Sequence, residues 1–231
     1  MMNKPGNGVS FVQRRLVFPE AAAFNRIVAK DKILKQNTAP LGVKKMFQAQ
    51  IERIRCSYEL TSEKLNLKSS SDVPKILIIQ IFLKRDVVSS KVLEMIDRAF
   101  GVPVFFELHY ADKFRYCASY RRRSRSDPST WVLSGYFTGS WLEKNVEATP
   151  LPVTLSLDSL YRTLLKAMIP LPFRKGEALG ALVSRVDRLR VKERDAERLE
   201  SRMKKEKQFN RKVELNRKLN ELKQEIEDLS K

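Results

Sequence analysis

Apolar positions along this chain change period several times, and each change predicts an element. Ile76 to Leu83 is apolar except for Gln80, as in a strand buried on both faces. Ser89 or Ser90 then offers an N-cap, and Val92, Leu93, Ile96, Ala99 and Phe100 recur at helical spacing until Gly101 and Pro103 stop them. Val104 to Leu108 is a second apolar run. Strand, helix and strand therefore predict a β-α-β unit with parallel strands and a right-handed crossover. After a turn at Tyr110 to Lys113, Phe114, Tyr116, Ala118 and Tyr120 alternate with Arg115, Cys117, Ser119 and Arg121, so one face enters the core and the other meets ligand or solvent. Trp131 to Phe137 reads as a further strand, and Tyr58 and Leu60 open an earlier one. The fold class is α+β, with a mixed sheet of about five strands and core helices.

Helical periodicity appears in three other places. A short helix is expected near Glu20 to Ala29 within a weakly patterned lead-in, and Val43, Phe47, Ile51 and Ile54 are spaced as one amphipathic helix. Leu157, Leu160, Tyr161, Leu164, Leu165 and Met168 keep a helical stripe behind Ser156 as cap, with Pro170 as stop. That helix closes a globular domain over residues 1–173. The remainder, 174–231, is a helical arm: past Glu177 it has no proline, and two heptad-like runs do not share a phase. The first run holds Leu179, Leu182, Val186, Leu189 and Ala196, and the second holds Leu215, Leu219, Leu222, Ile226 and Leu229. The break near Phe209 and Asn210, with Asn210 as a cap, favours an antiparallel hairpin over one unbroken helix.

Charge changes the picture next. Forty-five Lys and Arg against twenty-seven Asp and Glu give +18, a balance that favours polyanions through phosphate neutralisation. The arm carries eighteen basic and twelve acidic residues, so most of the excess lies in the preceding domain and the arm reads as a protein-contact or self-association element. The domain's best cluster is Arg121, Arg122, Arg123 and Arg125, with Lys113 and Arg115 on the preceding strand and Tyr120 or Trp131 near enough to stack on bases. Arg14 and Arg15 form a weaker second patch. Cys56 and Cys117 lack ligand or disulfide spacing, and neither a signal-like run in Met1 to Glu20 nor a membrane-length apolar stretch is present, which reads as a cytoplasmic protein with no membrane partner.

Catalytic signals are sparse. No glycine-rich phosphate loop or nucleophile elbow occurs, and His109 is the only histidine. A Mg²⁺ nuclease would need acidic residues on neighbouring strands with a lysine; the candidates are Glu107 with Asp112 or Asp86, and Lys84 or Lys113. For Glu107, the plainer expectation is a structural carboxylate paired with a nearby arginine. No catalytic residue, metal ligand or cofactor is assigned.

The string from Lys204 to Asn216, Lys-Lys-Glu-Lys-Gln-Phe-Asn-Arg-Lys-Val-Glu-Leu-Asn, resembles the C-terminal signature of an uncharacterised bacterial family, domain of unknown function 4391. Phe105-Phe106-Glu107-Leu108, Tyr120-Arg121-Arg122, Tyr136-Phe137 with Trp141, and Leu155-Ser156-Leu157-Asp158 with Leu160-Tyr161 resemble the same family in the same order. The chain departs from the family pattern at Phe100 to Pro103, where Ile-Pro-x-Pro is usual, and at Gln80, where an acidic residue is common. The resemblance implies no agreed activity. It does imply a setting beside DNA methyltransferases and helicases of restriction-like phage-defence systems. The sequence-level expectation is thus a non-catalytic accessory subunit of a DNA-directed defence assembly. Its arginines would bind nucleic-acid phosphate, DNA before RNA, and its arm leucines would meet a larger protein or a second copy. A metal nuclease and a pure protein scaffold are the alternatives.

Overall fold

The computed structural model describes residues 13–36, 38–124, 126–127 and 130–231. It divides into two compact units, one ending at Met168 and one running from Ile169 to Lys231. In the first unit, β2 (Ala23–Ile27), β3 (Ile51–Thr61), β4 (Lys75–Leu83), β5 (Val104–Tyr110), β6 (Lys113–Arg123) and β7 (Trp131–Thr138) lie side by side in that order. The short β8 (Leu142–Glu143) adds to β6 and completes a seven-stranded mixed sheet. The five strands read from the sequence form its body. The two additional strands are short and bury no residue fully, so no buried alternation marks them in the sequence.

The apolar run in β4 sits inside the sheet, antiparallel to β3 and parallel to β5, with helix α4 (Ser90–Phe100) as the crossover. Gly101 ends α4 with φ +70°, a left-handed conformation that favours glycine. On one side of the sheet Leu77, Ile79, Ile81, Phe106, Leu108 and Cys117 join a core with α4, α1 (Lys30–Gln36) and α2 (Leu41–Gln50). Alternation turns Ile76, Ile78, Phe105 and Ala118 to the other side, where α5 (Leu157–Met168) packs on β4, β6 and β7. Ser156 caps α5 as expected: its hydroxyl accepts from the Ser159 N–H at 3.1 Å, and the Ser159 hydroxyl accepts from the Ser156 N–H at 3.1 Å.

Two expected helices are corrected. Residues 20–29 form one 3₁₀ turn, Glu20–Ala22, and then strand β2, because Asn25 at φ 49° breaks helical geometry and β3 offers its edge for pairing. The helix read through Val43, Phe47, Ile51 and Ile54 ends at Gln50, and the last two residues begin β3. A register shift between Ile51 and Arg53 lets Ile51 and Ile54 both be fully buried at a spacing of three, so a bulged strand imitates the helical period. A one-turn helix, α3 (Ser62–Leu65), follows β3, and a parallel pair, β1 (Arg15–Val17) with β9 (Ala148–Pro150), stands apart from the main sheet.

The second unit is an antiparallel helical hairpin, α6 (Leu179–Lys205) and α7 (Phe209–Ser230), with legs of about 40 and 33 Å. Ion pairs Lys192–Glu225 and Lys223–Glu200 bridge the two legs in antiparallel order. Asn210 is not the cap: Gln208 holds that position without a side-chain bond, and Glu206 Oε1 closes the link by accepting from the N–H groups of Lys207 and Gln208, both at 2.9 Å. The first heptad run is buried, with Leu182 and Val186 nearly inaccessible. In the second run Leu219 is buried, and Leu215, Leu222, Ile226 and Leu229 are half-buried. Among the described residues no helix is long and apolar enough to cross a membrane.

Candidate functional site

Strand β6 carries most of the cations singled out by the sequence, and its extended backbone separates them. Lys113 and Arg115 lie at its start and Arg121 to Arg123 at its end, so Arg115 and Arg122 are about 23 Å apart along the strand. Arg125 lies outside the described residues.

Arg121 is not a surface cation. It is 8% exposed, its Nη1 lies 3.7 Å from Asp97 Oδ1 of α4 and 3.4 Å from the Val102 carbonyl, and its guanidinium sits 4.6 Å from the Trp131 ring centroid. Asp97 accepts from the Ser119 and Tyr136 hydroxyls at 2.9 and 3.1 Å. Burial nevertheless dominates and pushes the Asp97 carboxyl up to about 6, while the Ser119, Arg121 and Tyr136 contacts pull the other way. The alternation of β6 puts Arg121 on the α4 face of the sheet, a placement that the run of arginines hides. Tyr161 of α5 holds the backbone here, accepting from the Arg121 N–H at 3.0 Å and donating to the Ser119 carbonyl at 2.8 Å. Tyr161→Phe is expected to cost about 2 kcal/mol, since two buried backbone groups lose their partner. Urea denaturation would measure the loss, and wild-type stability would show the hydroxyl to be dispensable.

Arg122 is exposed. Arg123 is partly exposed, lies 4.0 Å over the Trp131 ring and pairs with Asp72 at 3.3 Å. At the other end, Arg115 is held 4.2 Å over Trp141 and donates to the Asp86 carbonyl, while Lys113 pairs with Glu143 at 3.2 Å. The end of β6 therefore presents a guanidinium fork ordered by an indole, with a second fork beside it.

The opposite face of the sheet holds a second arrangement. Gln80 of β4, Glu107 of β5 and Tyr116 of β6 are cross-strand neighbours in one row, with Arg55 of β3 at its end. Glu107 is 6% exposed; its Oε2 accepts from Gln80 Nε2 at 2.9 Å and lies 3.4 Å from His109 Nε2. Contrary to the plain expectation, no Lys or Arg among the described residues pairs with it. The Leu16 N–H donates to the Tyr116 hydroxyl at 2.7 Å, which pins β1 above this row and leaves a pocket of about 310 Å³ lined by Arg15, Phe18, Tyr58, Gln80 and Glu107. Arg14, the other half of the early basic pair, is engaged by Glu147 at 3.2 Å.

The carboxylates of the nuclease reading line different hollows. Asp86 and Asp112 border one with Lys113 and Trp141, and Glu107 lines another. Asp112 is exposed and bound by Lys144 at 2.8 Å, which holds its carboxyl below the usual range, and Lys84 donates to the Gln48 carbonyl. Among the described residues no group of three His, Cys, Asp or Glu could hold a metal ion. Cys56 and Cys117 are buried and free, with burial raising their thiols to about 11 and about 12.

A family profile described as Domain of unknown function (DUF4391) matches residues 16–226. No curated protein and no solved structure matches the chain.

Proposed function

Because the chain belongs to the family of domain of unknown function 4391, whose description names no activity, we propose a function from its own chemistry: it binds nucleic-acid phosphate without cleaving it, as an accessory subunit of a DNA-directed assembly. The observation that carries this reading is the end of β6, where Arg122 is exposed and Arg123 is ordered over Trp131. Guanidinium forks bind phosphate oxygens bidentately, and a net charge of +18 raises the local concentration of a polyanion. The restriction-like defence setting that the family resemblance implies makes DNA the first ligand to test. A helicase or methyltransferase is then the first protein to test against the arm, where Phe209 and Val213 are exposed among basic residues beside the hairpin link.

With Arg121 buried, Arg122 and Arg123 are the cluster members that the described residues place at the surface, and two phosphate contacts predict a smaller electrostatic signature than four would. Each phosphate contact contributes about 0.9 to the slope of log affinity against log salt on duplex DNA. Arg122→Ala with Arg123→Ala is therefore expected to flatten that slope by about 2, which removes roughly tenfold of the affinity lost between 50 and 200 mM salt. Labelled double-stranded and single-stranded DNA, titrated with and without Mg²⁺, make the measurement. An unchanged slope would overturn the assignment of these residues. Mg²⁺-dependent cleavage abolished by Glu107→Gln would replace the reading with a nuclease, and no binding at 50 mM salt would leave a protein scaffold.

A further inference from the structure

The pocket over Gln80 and Glu107 calls for a ligand that is partly a hydrogen-bond donor and partly an anion. Its floor is an acceptor: a buried carboxylate that, among the described residues, has an amide and an imidazole within hydrogen-bond reach and no Lys or Arg paired with it, in a chain with a large cationic excess. Such a group is costly to bury unless its acceptor capacity is used. Its wall is aromatic, with Phe18 stacked on Tyr58 at 4.6 Å between centroids. Its rim is cationic, because the exposed Arg15 lines the mouth; Arg55, at the end of the same cross-strand row but outside the pocket lining, adds a second positive charge on this face. A simple cation suits the floor but is repelled by the rim, and a simple anion suits the rim but is repelled by the floor. A nucleotide satisfies both, because base and phosphate sit at opposite ends of one molecule. At about 310 Å³ the pocket is at the small end of ligand sites, suited to one mononucleotide.

Base identity follows from the carboxylate. Two oxygens accept best from two adjacent donors, and guanine alone of the four RNA bases presents them, as N1–H beside the N2 amino group. Adenine and cytosine offer one amino group next to an acceptor nitrogen, and uracil flanks its N3–H with carbonyls that repel a carboxylate.

We propose that this pocket is a guanine-nucleotide site, in which Glu107 accepts from N1–H and N2, Gln80 holds the carboxylate in place, Phe18 and Tyr58 form the wall beside the base and Arg15 meets the phosphate. The site is on the sheet face opposite Arg121 and its partner Asp97, and it does not rest on the phosphate-binding reading above. Stacking of a base on an aromatic wall contributes about 1–3 kcal/mol, which places a mononucleotide within reach of direct titration.

The test is calorimetric titration of the full chain with guanosine, inosine, adenosine, cytidine and uridine 5′-monophosphates at 50 mM salt. Guanosine monophosphate is expected to bind at least tenfold more tightly than the adenine, cytosine and uracil nucleotides. Inosine monophosphate, which lacks the N2 amino group, should fall between. Glu107→Gln should abolish the guanine preference. Arg15→Ala, which removes an exposed side chain and leaves the backbone pairing of β1 in place, should weaken guanosine monophosphate but not guanosine, so the site can be tested even if the Glu107 variant misfolds. Equal affinity for all four bases, no binding at millimolar nucleotide, or an Arg15→Ala variant indistinguishable from wild type would each overturn the proposal. The Arg122→Ala, Arg123→Ala protein should keep the guanine preference, which separates failure of this site from failure of the phosphate surface.

Discussion

Replacing Asp97 by alanine is expected to destabilise the first unit by about 3–5 kcal/mol, because it leaves the buried Arg121 guanidinium without its counter-charge. The pair is poorly satisfied even in the native protein. Asp97 Oδ1 and Arg121 Nε have no hydrogen-bond partner among the described residues, and the closest approach between the two groups is 3.7 Å. That arrangement gives a pH dependence of unusual sign. Burial raises the Asp97 carboxyl from 3.8 to about 6, so between these values the folded protein holds a proton that the unfolded chain has released. Stability from this group therefore falls as pH rises from 4 to 6, by roughly 3 kcal/mol at about 1.4 kcal/mol per pH unit. Carboxylates held low by cations, such as Glu59 beside Lys75 and Lys64, act in the opposite direction at lower pH, so the comparison must be internal. Asp97→Asn keeps the side-chain shape and removes the titration. The difference in unfolding free energy between wild type and Asp97→Asn should change by about 3 kcal/mol between pH 4 and pH 7. A difference that is flat with pH would mean that Asp97 titrates as an exposed carboxylate does.

In the second unit the largest effect is expected at Arg185, which is 1% exposed and ties the open end of the hairpin together. Its Nε and Nη2 donate to the two Glu177 oxygens at 2.9 and 2.8 Å. Nη1 donates to the Leu229 carbonyl at 2.8 Å, and Nη2 also reaches the Pro172 carbonyl at 2.6 Å. Arg174 adds a bond to the Asp228 carbonyl beside it. One guanidinium thus joins the lead-in, the start of α6 and the end of α7. Removing a set of charge-assisted bonds around an enclosed charge costs about 2–3 kcal/mol, and lysine cannot reproduce the fork. Both Arg185→Ala and Arg185→Lys should release the last turns of α7, seen as lost amide protection after about Leu222. The link end near Phe209 should keep its wild-type rates. Unaltered protection near Leu229 would mean that the apolar seam alone closes the hairpin.

How much of this was legible beforehand differs by element. The β4 run, the crossover helix with its Gly101 stop and the amphipathic α5 with its Ser156 cap follow from local periodicity, because a buried face imposes its repeat on the residues that supply it. The hairpin was legible from the phase break between two heptad runs, since one continuous helix cannot turn both seams the same way. Strand β2 was not, because a largely exposed edge strand owes its existence to the backbone groups of β3 rather than to a buried face of its own.

The candidate sites divide along the same line. Sequence alone determined that cations crowd the end of β6 and that Glu107 lies in an apolar strand, because composition and period are properties of a segment. Only the tertiary structure decided which of those groups are available. Alternation along β6 carries Arg121 inward to Asp97 and leaves Arg122 outside. Strand register sets Gln80 beside Glu107, and β1 with the residue that follows it brings Arg15 and Phe18 over them from a distant part of the chain. The physical reason is that a side chain's partner across a sheet is fixed by hydrogen-bond register and by what covers that face. Both are set by residues tens of positions away, which no local pattern records.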